Sequence, residues 1–180
     1  MNKKLTVITI TGKAQHGKDF TATILKELLE DKNLKILTLH YADYLKFICK
    51  NLYGWDGIKD KKGRATLQYI GTDKARKNNP NIWVNVVNEL LLAIGEDFDI
   101  VLIPDARFPN EIDRLIELGW EVKTIKVNRL NFKSTLTEEQ LEHYSETALD
   151  NYTFDYKFNY LTGKENIIYE IRGSGLLDNI

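Results

Sequence analysis

The chain has 180 residues, a formal net charge of −1 and a single cysteine, Cys49. That length fits one domain with its own core, and the balanced charge leaves no electrostatic footprint for nucleic acid. A lone cysteine excludes a disulfide within the chain and points to a reducing compartment, with Cys49 packed as a small apolar residue. No apolar run approaches the roughly 18 residues of a membrane span. Lys3 and Lys4 lead straight into a strand rather than a signal sequence, so a soluble cytoplasmic protein with no membrane partner is expected.

The first element is a strand. Leu5 to Ile10 (LTVITI) is an unbroken β-favouring run, the composition of a strand buried on both faces of a parallel sheet. It runs into Gly12-Lys13-Ala14-Gln15-His16-Gly17-Lys18, which fits the phosphate-binding pattern G-x-x-x-x-G-K. Phe20 to Glu30 then carries helix formers with apolar residues at Ala22, Leu25, Leu28 and Leu29. Strand, glycine loop and helix in this order are the context the pattern requires. Glycines at 12 and 17 let successive N–H groups turn inward around an anion. The helix start adds its positive dipole end, and Lys18 supplies a mobile charge for the outer phosphates. Asp19 follows where Ser or Thr is usual. It could hold Mg²⁺ directly or through water, or cap the helix.

Lys35 to His40 reads as a second strand, with Tyr41-Ala42-Asp43 at its carboxyl end and a helix from Tyr44 to Leu52. Ligands of open α/β sheets gather outside those ends, so Asp43 could meet substrate or metal, could N-cap that helix, or could do both. Gly54 to Gly63 reads as a solvated loop. Arg64 to Lys77 is helical, with Gly71 marking a break or a close approach. Pro80 opens a helix over 81–94 in which Trp83 is most simply core. Phe98 to Ile103 is a third strand ending at Pro104-Asp105-Ala106-Arg107. Asp105 there suits a Mg²⁺-organising carboxylate. A helix begins at Asn110-Glu111 and runs through Leu118, and Glu121 to Val127 is a fourth strand.

From Arg129 to Asp150 the chain turns polar, with a helix-start signature at Thr137-Glu138-Glu139-Gln140. This is either a mobile lid that excludes water or an ordinary surface helical hairpin. His16, His40 and His143 show no metal-ligand spacing, and the sequence identifies no partner for His143 or Ser145, so no nucleophile is proposed there. Tyr156 to Leu161 is a fifth strand. Asn166 to Arg172 reads equally as strand or terminal helix.

Several of these stretches together resemble the deoxynucleoside monophosphate kinases of bacteriophages. They are Gly12-x4-Gly17-Lys18-Asp19, Ala42-Asp43-x-Leu45-Lys46, Leu67-Gln68-x-Ile70-Gly71-Thr72-Asp73-x-x-Arg76, Trp83, Asp105-x-Arg107-Phe108-x-Asn110-Glu111 and Ser145-Glu146. Gly-Lys-Asp-Phe, with Phe20 where the phage enzymes often have Thr, is also similar to animal phosphomevalonate kinases. The resemblance implies a three-layer α/β P-loop kinase fold. Its sheet has about five mainly parallel strands flanked by helices, in one domain over 1–180 with a helical lid near 129–150. It implies ATP as donor, Mg²⁺, a deoxynucleoside monophosphate as acceptor, and a homodimer as in phage relatives. Residues 12–20 would bind the donor, and Asp19 and Asp105 the Mg²⁺. Asp43, Lys46, Arg76, Trp83, Arg107 and Glu111 would bind the acceptor. Arg76 and Arg107 have guanidinium forks that match phosphate oxygens. Lys18, Arg107, Asp105 and Arg129, the last at the lid entrance, would serve transfer.

Three alternatives stand beside this reading. One is a kinase of another phosphorylated small molecule, phosphomevalonate-like; another is a non-catalytic nucleotide-binding scaffold. A GTPase switch lacks its base-reading motif, since the fourth strand leads into Asn128-Arg129-Leu130-Asn131.

Overall fold

A computed structural model describes residues 5–180; Lys3 and Lys4, on which the signal-sequence expectation rested, lie outside the described residues. Strand β1 (Thr6–Thr11) is buried along its whole length, as its composition requires. It pairs with β3 (Ile100–Ile103) on one side and β4 (Glu121–Arg129) on the other. β2 (Ile36–Thr38) extends the sheet beyond β3, and β5 (Tyr156–Tyr160) beyond β4, in the order β2-β3-β1-β4-β5. All four pairings are parallel, so the sheet expected to be mainly parallel is wholly so among the described residues.

Alternation along the strands sends side chains to two separate cores. Ile8, Ile10, Ile125, Val127 and Phe158 face a layer built from α1 (Lys18–Glu30) and α8 (Lys164–Gly173), which contribute Leu25, Leu29, Ile167 and Ile171. Leu5, Val7, Val101 and Ile103 face α4 (Ile82–Ile94) and α5 (Pro109–Glu117), which contribute Trp83, Val87, Leu91, Ile112 and Leu115. Each fully buried Ile or Leu contributes about 1.5–3 kcal/mol. The result is the expected three-layer arrangement. The C-terminal segment resolves as helix because Ile167 and Ile171, four apart, are both fully buried. Cys49 is a buried free thiol, as expected.

The strand ends shift by up to two residues from expectation, and two helix boundaries differ for reasons of packing. α2 (Ala42–Leu52) begins two residues before Tyr44, so Asp43 lies in its first turn and is not its N-cap. The reason is long-range: the carboxylate of Asp105 accepts the N–H groups of Tyr41 and Ala42, at 2.9 and 3.0 Å, and caps the helix from another strand. The expected helix over 64–77 is α3 (Lys61–Gln68) continued by a π-helical stretch, Tyr69–Arg76. A Cβ at Gly71 would come within 2.6 Å of Leu45, which is the close approach that glycine permits. The polar segment after β4 holds two short helices, α6 (Glu138–Glu142) and α7 (Tyr144–Thr147). α6 starts on the expected signature, with Thr137 and Gln140 bonding reciprocally.

Because every strand runs the same way, Gly12, Tyr41, Asp105, Arg129 and Leu161 all emerge at one edge of the sheet. No helix among the described residues is long and apolar enough to cross a membrane.

Candidate active site

The loop from Gly12 to Lys18 closes on its own backbone. Gly12 has φ +155°, and a Cβ there would lie 2.5 Å from the Val127 carbonyl oxygen. Gly17 has φ +82°, and a Cβ would strike the Tyr160 hydroxyl. Both positions therefore require glycine. Tyr160 in turn donates to the His16 carbonyl at 2.6 Å, and His16 Nδ1 accepts the Arg129 N–H at 3.1 Å, fastening the loop to β5 and β4. Burial, then the charge of Lys18, lowers the pKa of His16, which keeps the imidazole a neutral acceptor. Gln15 holds a left-handed φ of +67°. Its amide is clasped by Thr135 and Ser134, which offsets the strain of that conformation.

Lys18 is 8% exposed, and its ammonium donates to the Gly12 and Lys13 carbonyls at 2.9 and 3.1 Å. Burial first, and the nearby Arg107 second, bring its pKa down to about 8. Glu146, Asp19 and Asp105 oppose that shift.

Beside the loop lies a cavity of about 220 Å³ between α2, α3, the π-helical stretch and the β3–α5 turn. Its apolar wall includes Leu45, Leu67, Trp83 and Phe108, and its cations are Lys46, Lys59, Arg64, Arg76 and Arg107. Two buried carboxylates hold the two arginines. Glu111, 2% exposed in its side chain, pairs with Arg76 and accepts the N–H groups of Arg107 and Phe108, the latter at 3.0 Å. Burial raises its pKa, and Arg76 pulls the other way. Arg76 also lies over the Phe108 ring at 4.0 Å. Glu146 pairs with Arg107 and accepts the Ala14 N–H at 2.8 Å. A second, smaller cavity at Gly12 and Lys13 shares Arg107, Ser145 and Glu146 with the first.

His40 stands at the outer side of the loop. Its Nε2 meets Asp19 at 3.2 Å and its Nδ1 meets Asp43 at 3.2 Å. The bond to Asp19 raises the His40 pKa and lowers that of Asp19. No group of three or more His, Cys, Asp or Glu side chains that could hold a metal ion occurs among the described residues. Mg²⁺ commonly takes one or two protein carboxylates together with substrate phosphates. Asp19, whose side chain is 81% exposed beside Lys18, fits that donor set. Asp105 is less free for that task, because each of its oxygens already accepts an α2 N–H group and burial raises its pKa.

The sequence-derived residues therefore divide. Lys46, Arg76, Trp83, Asp105, Arg107 and Glu111 line the large cavity, Trp83 while remaining in the core and donating to the Gly71 carbonyl at 3.1 Å. Lys13 takes a different part, bonding Asp150 and the Glu146 carbonyl. Asp43 pairs with Lys46 at 2.8 Å. Phe20 is 46% exposed; it, Arg129, Asp43 and the loop residues from Ala14 to Asp19 line neither cavity. Arg129 donates to Thr162 at 2.8 Å and lies 4.3 Å over Phe132. Missed in the sequence were His40 and the cavity-facing Lys59, Arg64, Gln68 and Thr72. Lys59, in the stretch expected to be a solvated loop, faces the cavity instead. Arg64, Leu67, Gln68, Gly71 and Thr72 follow the spacing i, i+3, i+4, i+7, i+8, a signal for one shared helix face that was there to be read. The segment expected as a lid touches the loop at four residues, Lys13, Ala14, Gln15 and His16.

No protein-family model matches the chain, and no curated protein sequence matches it either. Solved structures do. An unliganded sugar kinase from Janibacter sp. is 17% identical with a TM-score of 0.54, over 97% of this chain and 95% of that one. The APS kinase CysC of Mycobacterium tuberculosis in complex with AMPPNP and APS is 11% identical with a TM-score of 0.51, over 95% and 97%. A mutant of the same enzyme gives 0.52 at 11% identity, over 95% and 96%. At such identities the likeness concerns architecture: the chain shares its three-layer α/β fold with these kinases.

Proposed function

We propose that the chain is a deoxynucleoside monophosphate kinase that moves the γ-phosphoryl group of ATP to the phosphate of a dNMP, giving dNDP and ADP. The observation that carries this reading is Arg107. It lines the larger cavity and a small one at Gly12 and Lys13, and its charge helps to depress the pKa of Lys18, so one guanidinium lies between the loop that would take the donor and the cavity that would take the acceptor. The larger cavity, slightly below the roughly 300–1,000 Å³ of typical ligand pockets, suits a small molecule and not a polymer. Its apolar wall suits a flat ring, and its cations suit an anionic tail.

The chemistry needs no protein base, because an acceptor phosphate is already ionised. One of its oxygens attacks the γ-phosphorus while the bond to the β,γ-bridging oxygen breaks and ADP leaves. Positioning and charge neutralisation carry such a transfer. Lys18 neutralises the donor's outer phosphates. Arg107 and Arg76, fixed by Glu146 and Glu111, offer forks to the acceptor phosphate, and Lys46 adds a further charge at the cavity. Mg²⁺ would neutralise donor charge, with Asp19 as the residue that fits holding it.

The test is ADP formation in a coupled assay with Mg²⁺-ATP against all deoxy- and ribonucleoside monophosphates, with phosphomevalonate as a further acceptor. Turnover with a subset of dNMPs, reduced about 10²-fold or more by Arg107→Ala, is expected. Turnover with phosphomevalonate alone would overturn the acceptor while keeping the donor loop. Silence throughout would overturn the kinase reading.

A further inference from the structure

Glu146 sits on the segment after β4, yet its carboxylate reaches two groups far from it in sequence, one after β1 and one after β3. One oxygen accepts the N–H of Ala14, inside the phosphate loop, at 2.8 Å; the other takes Nη1 of Arg107. The side chain is 8% exposed, so it holds this position away from solvent. Its own backbone is pinned as well, because the Glu146 carbonyl accepts from Lys13 at 2.7 Å and Lys13 also pairs with Asp150. Arg107 gives Nη1 a second, longer bond to the Ser145 carbonyl at 3.4 Å. Among the described residues, its Nε and Nη2 donate to no protein acceptor.

An arginine has five N–H donors in a rigid planar fork. A carboxylate that occupies one corner of that fork fixes the plane and leaves the other donors for a ligand. We propose that Glu146 is a positioning residue: it holds the Arg107 guanidinium against the phosphate loop so that its remaining N–H groups are presented to an acceptor phosphate. Its contact with Ala14 sets the distance between loop and arginine, making the donor and acceptor subsites one rigid unit. The role given to Arg107 rests on the reading above; the contact itself does not. Glu146 contributes orientation and no proton transfer. Its negative charge lies beside the subsites of two phosphates, which is a cost the protein accepts for orientation.

This arrangement has a signature that general structural support would not have. Removing the carboxylate should impair use of the acceptor, because Arg107 loses its orientation. It should leave Mg²⁺-ATP binding equal or tighter, because an anion near the loop is gone. Glu146→Ala and Glu146→Gln are compared with wild type by steady-state kinetics. A loss of about 10–100-fold in kcat/KM for the acceptor is expected, with an unchanged or lower KM for Mg²⁺-ATP. In an Arg107→Ala background, Glu146→Ala should cost nothing further, since it acts through that arginine. A parallel weakening of both substrates, or losses that add in the double variant, would overturn the proposal.

A second readout is independent of any substrate. The guanidinium N–H signals of Arg107 in a ¹H–¹⁵N spectrum of the full chain should be sharp in wild type and broadened in Glu146→Ala. If no nucleotide is turned over but these signals collapse in the variant, positioning stands and the acceptor reading falls. If dNMPs are turned over and the signals are unchanged in Glu146→Ala, positioning falls and the acceptor reading stands.

Discussion

Raising the pH from about 7 to about 9 should weaken binding of a non-hydrolysable ATP analogue about tenfold, and the cause should be Lys18 alone. Burial of the ammonium, with Arg107 close by, brings its pKa to about 8. A bound triphosphate needs the charged form and keeps it charged. The observed dissociation constant then scales as one plus the ratio of neutral to charged lysine, about 1.1 at pH 7 and about 11 at pH 9. The difference is about 1.4 kcal/mol, and binding at the higher pH should take up nearly one proton. Calorimetry in two buffers of different ionisation enthalpy reads affinity and proton uptake together. Lys18→Arg is the control, since a guanidinium stays protonated across the range. The ligand's own phosphate titration is common to both proteins and cancels in the comparison. Equal wild-type affinities at the two pH values, or a slope that survives in Lys18→Arg, would refute the argument.

The same lysine has a stability counterpart. Between about pH 8 and the ordinary 10.5 the unfolded chain holds a proton that the folded chain has lost. Stability should therefore rise with pH across that window, by on the order of 3 kcal/mol, and Lys18→Met should remove this rise in urea titrations; a rise that persists in the variant would exclude Lys18 as its source. Glu111→Ala would leave the Arg76 charge and the Arg107 and Phe108 N–H groups without their acceptor, costing about 3–5 kcal/mol; a urea midpoint near wild type would count against it. Asp105→Ala should cost about 1–2 kcal/mol through α2's lost cap without changing the Mg²⁺ concentration needed for residual turnover. A higher Mg²⁺ requirement at unchanged stability would restore Asp105 as a metal ligand. Gly12→Ala should lose about 1–3 kcal/mol and ATP binding with it, because its Cβ meets the Val127 carbonyl; a wild-type melting temperature would show that the backbone has room.

What could be read from the sequence was what the chain keeps contiguous. The strand, loop and helix from Leu5 to Glu30 are local, and the loop's chemistry follows from two glycines and a lysine at fixed spacing. Strand ends were readable because hydrophobic runs stop at them, which placed Asp43 and Asp105 on the working edge. Partnerships were not readable. Asp105 caps α2 from 63 and 64 residues away, Glu111 reaches Arg76 over 35, and Glu146 reaches Ala14 over 132. No periodicity encodes such distances. The capping contact also explains why the start of α2 was misplaced: its cap lies on another strand, where no local signature could announce it. His40 escaped because its partners are single carboxylates at +3 and −21, outside any metal-ligand spacing.

These partnerships bear on the kind of chemistry the site can do. Its buried or half-buried carboxylates are all engaged by protein donors: Asp105 by two helix N–H groups, Glu111 by Arg76 and two N–H groups, and Glu146 by Arg107 and Ala14. A carboxylate engaged in this way is a poor general base, because abstracting a proton would break the bonds that hold it. The cations differ. Among the described residues, Arg107 keeps donors unspent and Lys18 bonds only loop carbonyls, which a phosphate oxygen outcompetes by charge. Anions turned inward and cations left to meet a ligand are the distribution that transfer between two phosphates requires. Abstraction of a proton from a neutral substrate would need the reverse, a free carboxylate aimed into the cavity. The arrangement thus favours an acceptor that arrives already ionised, and a phosphate monoester meets that condition without help from the protein.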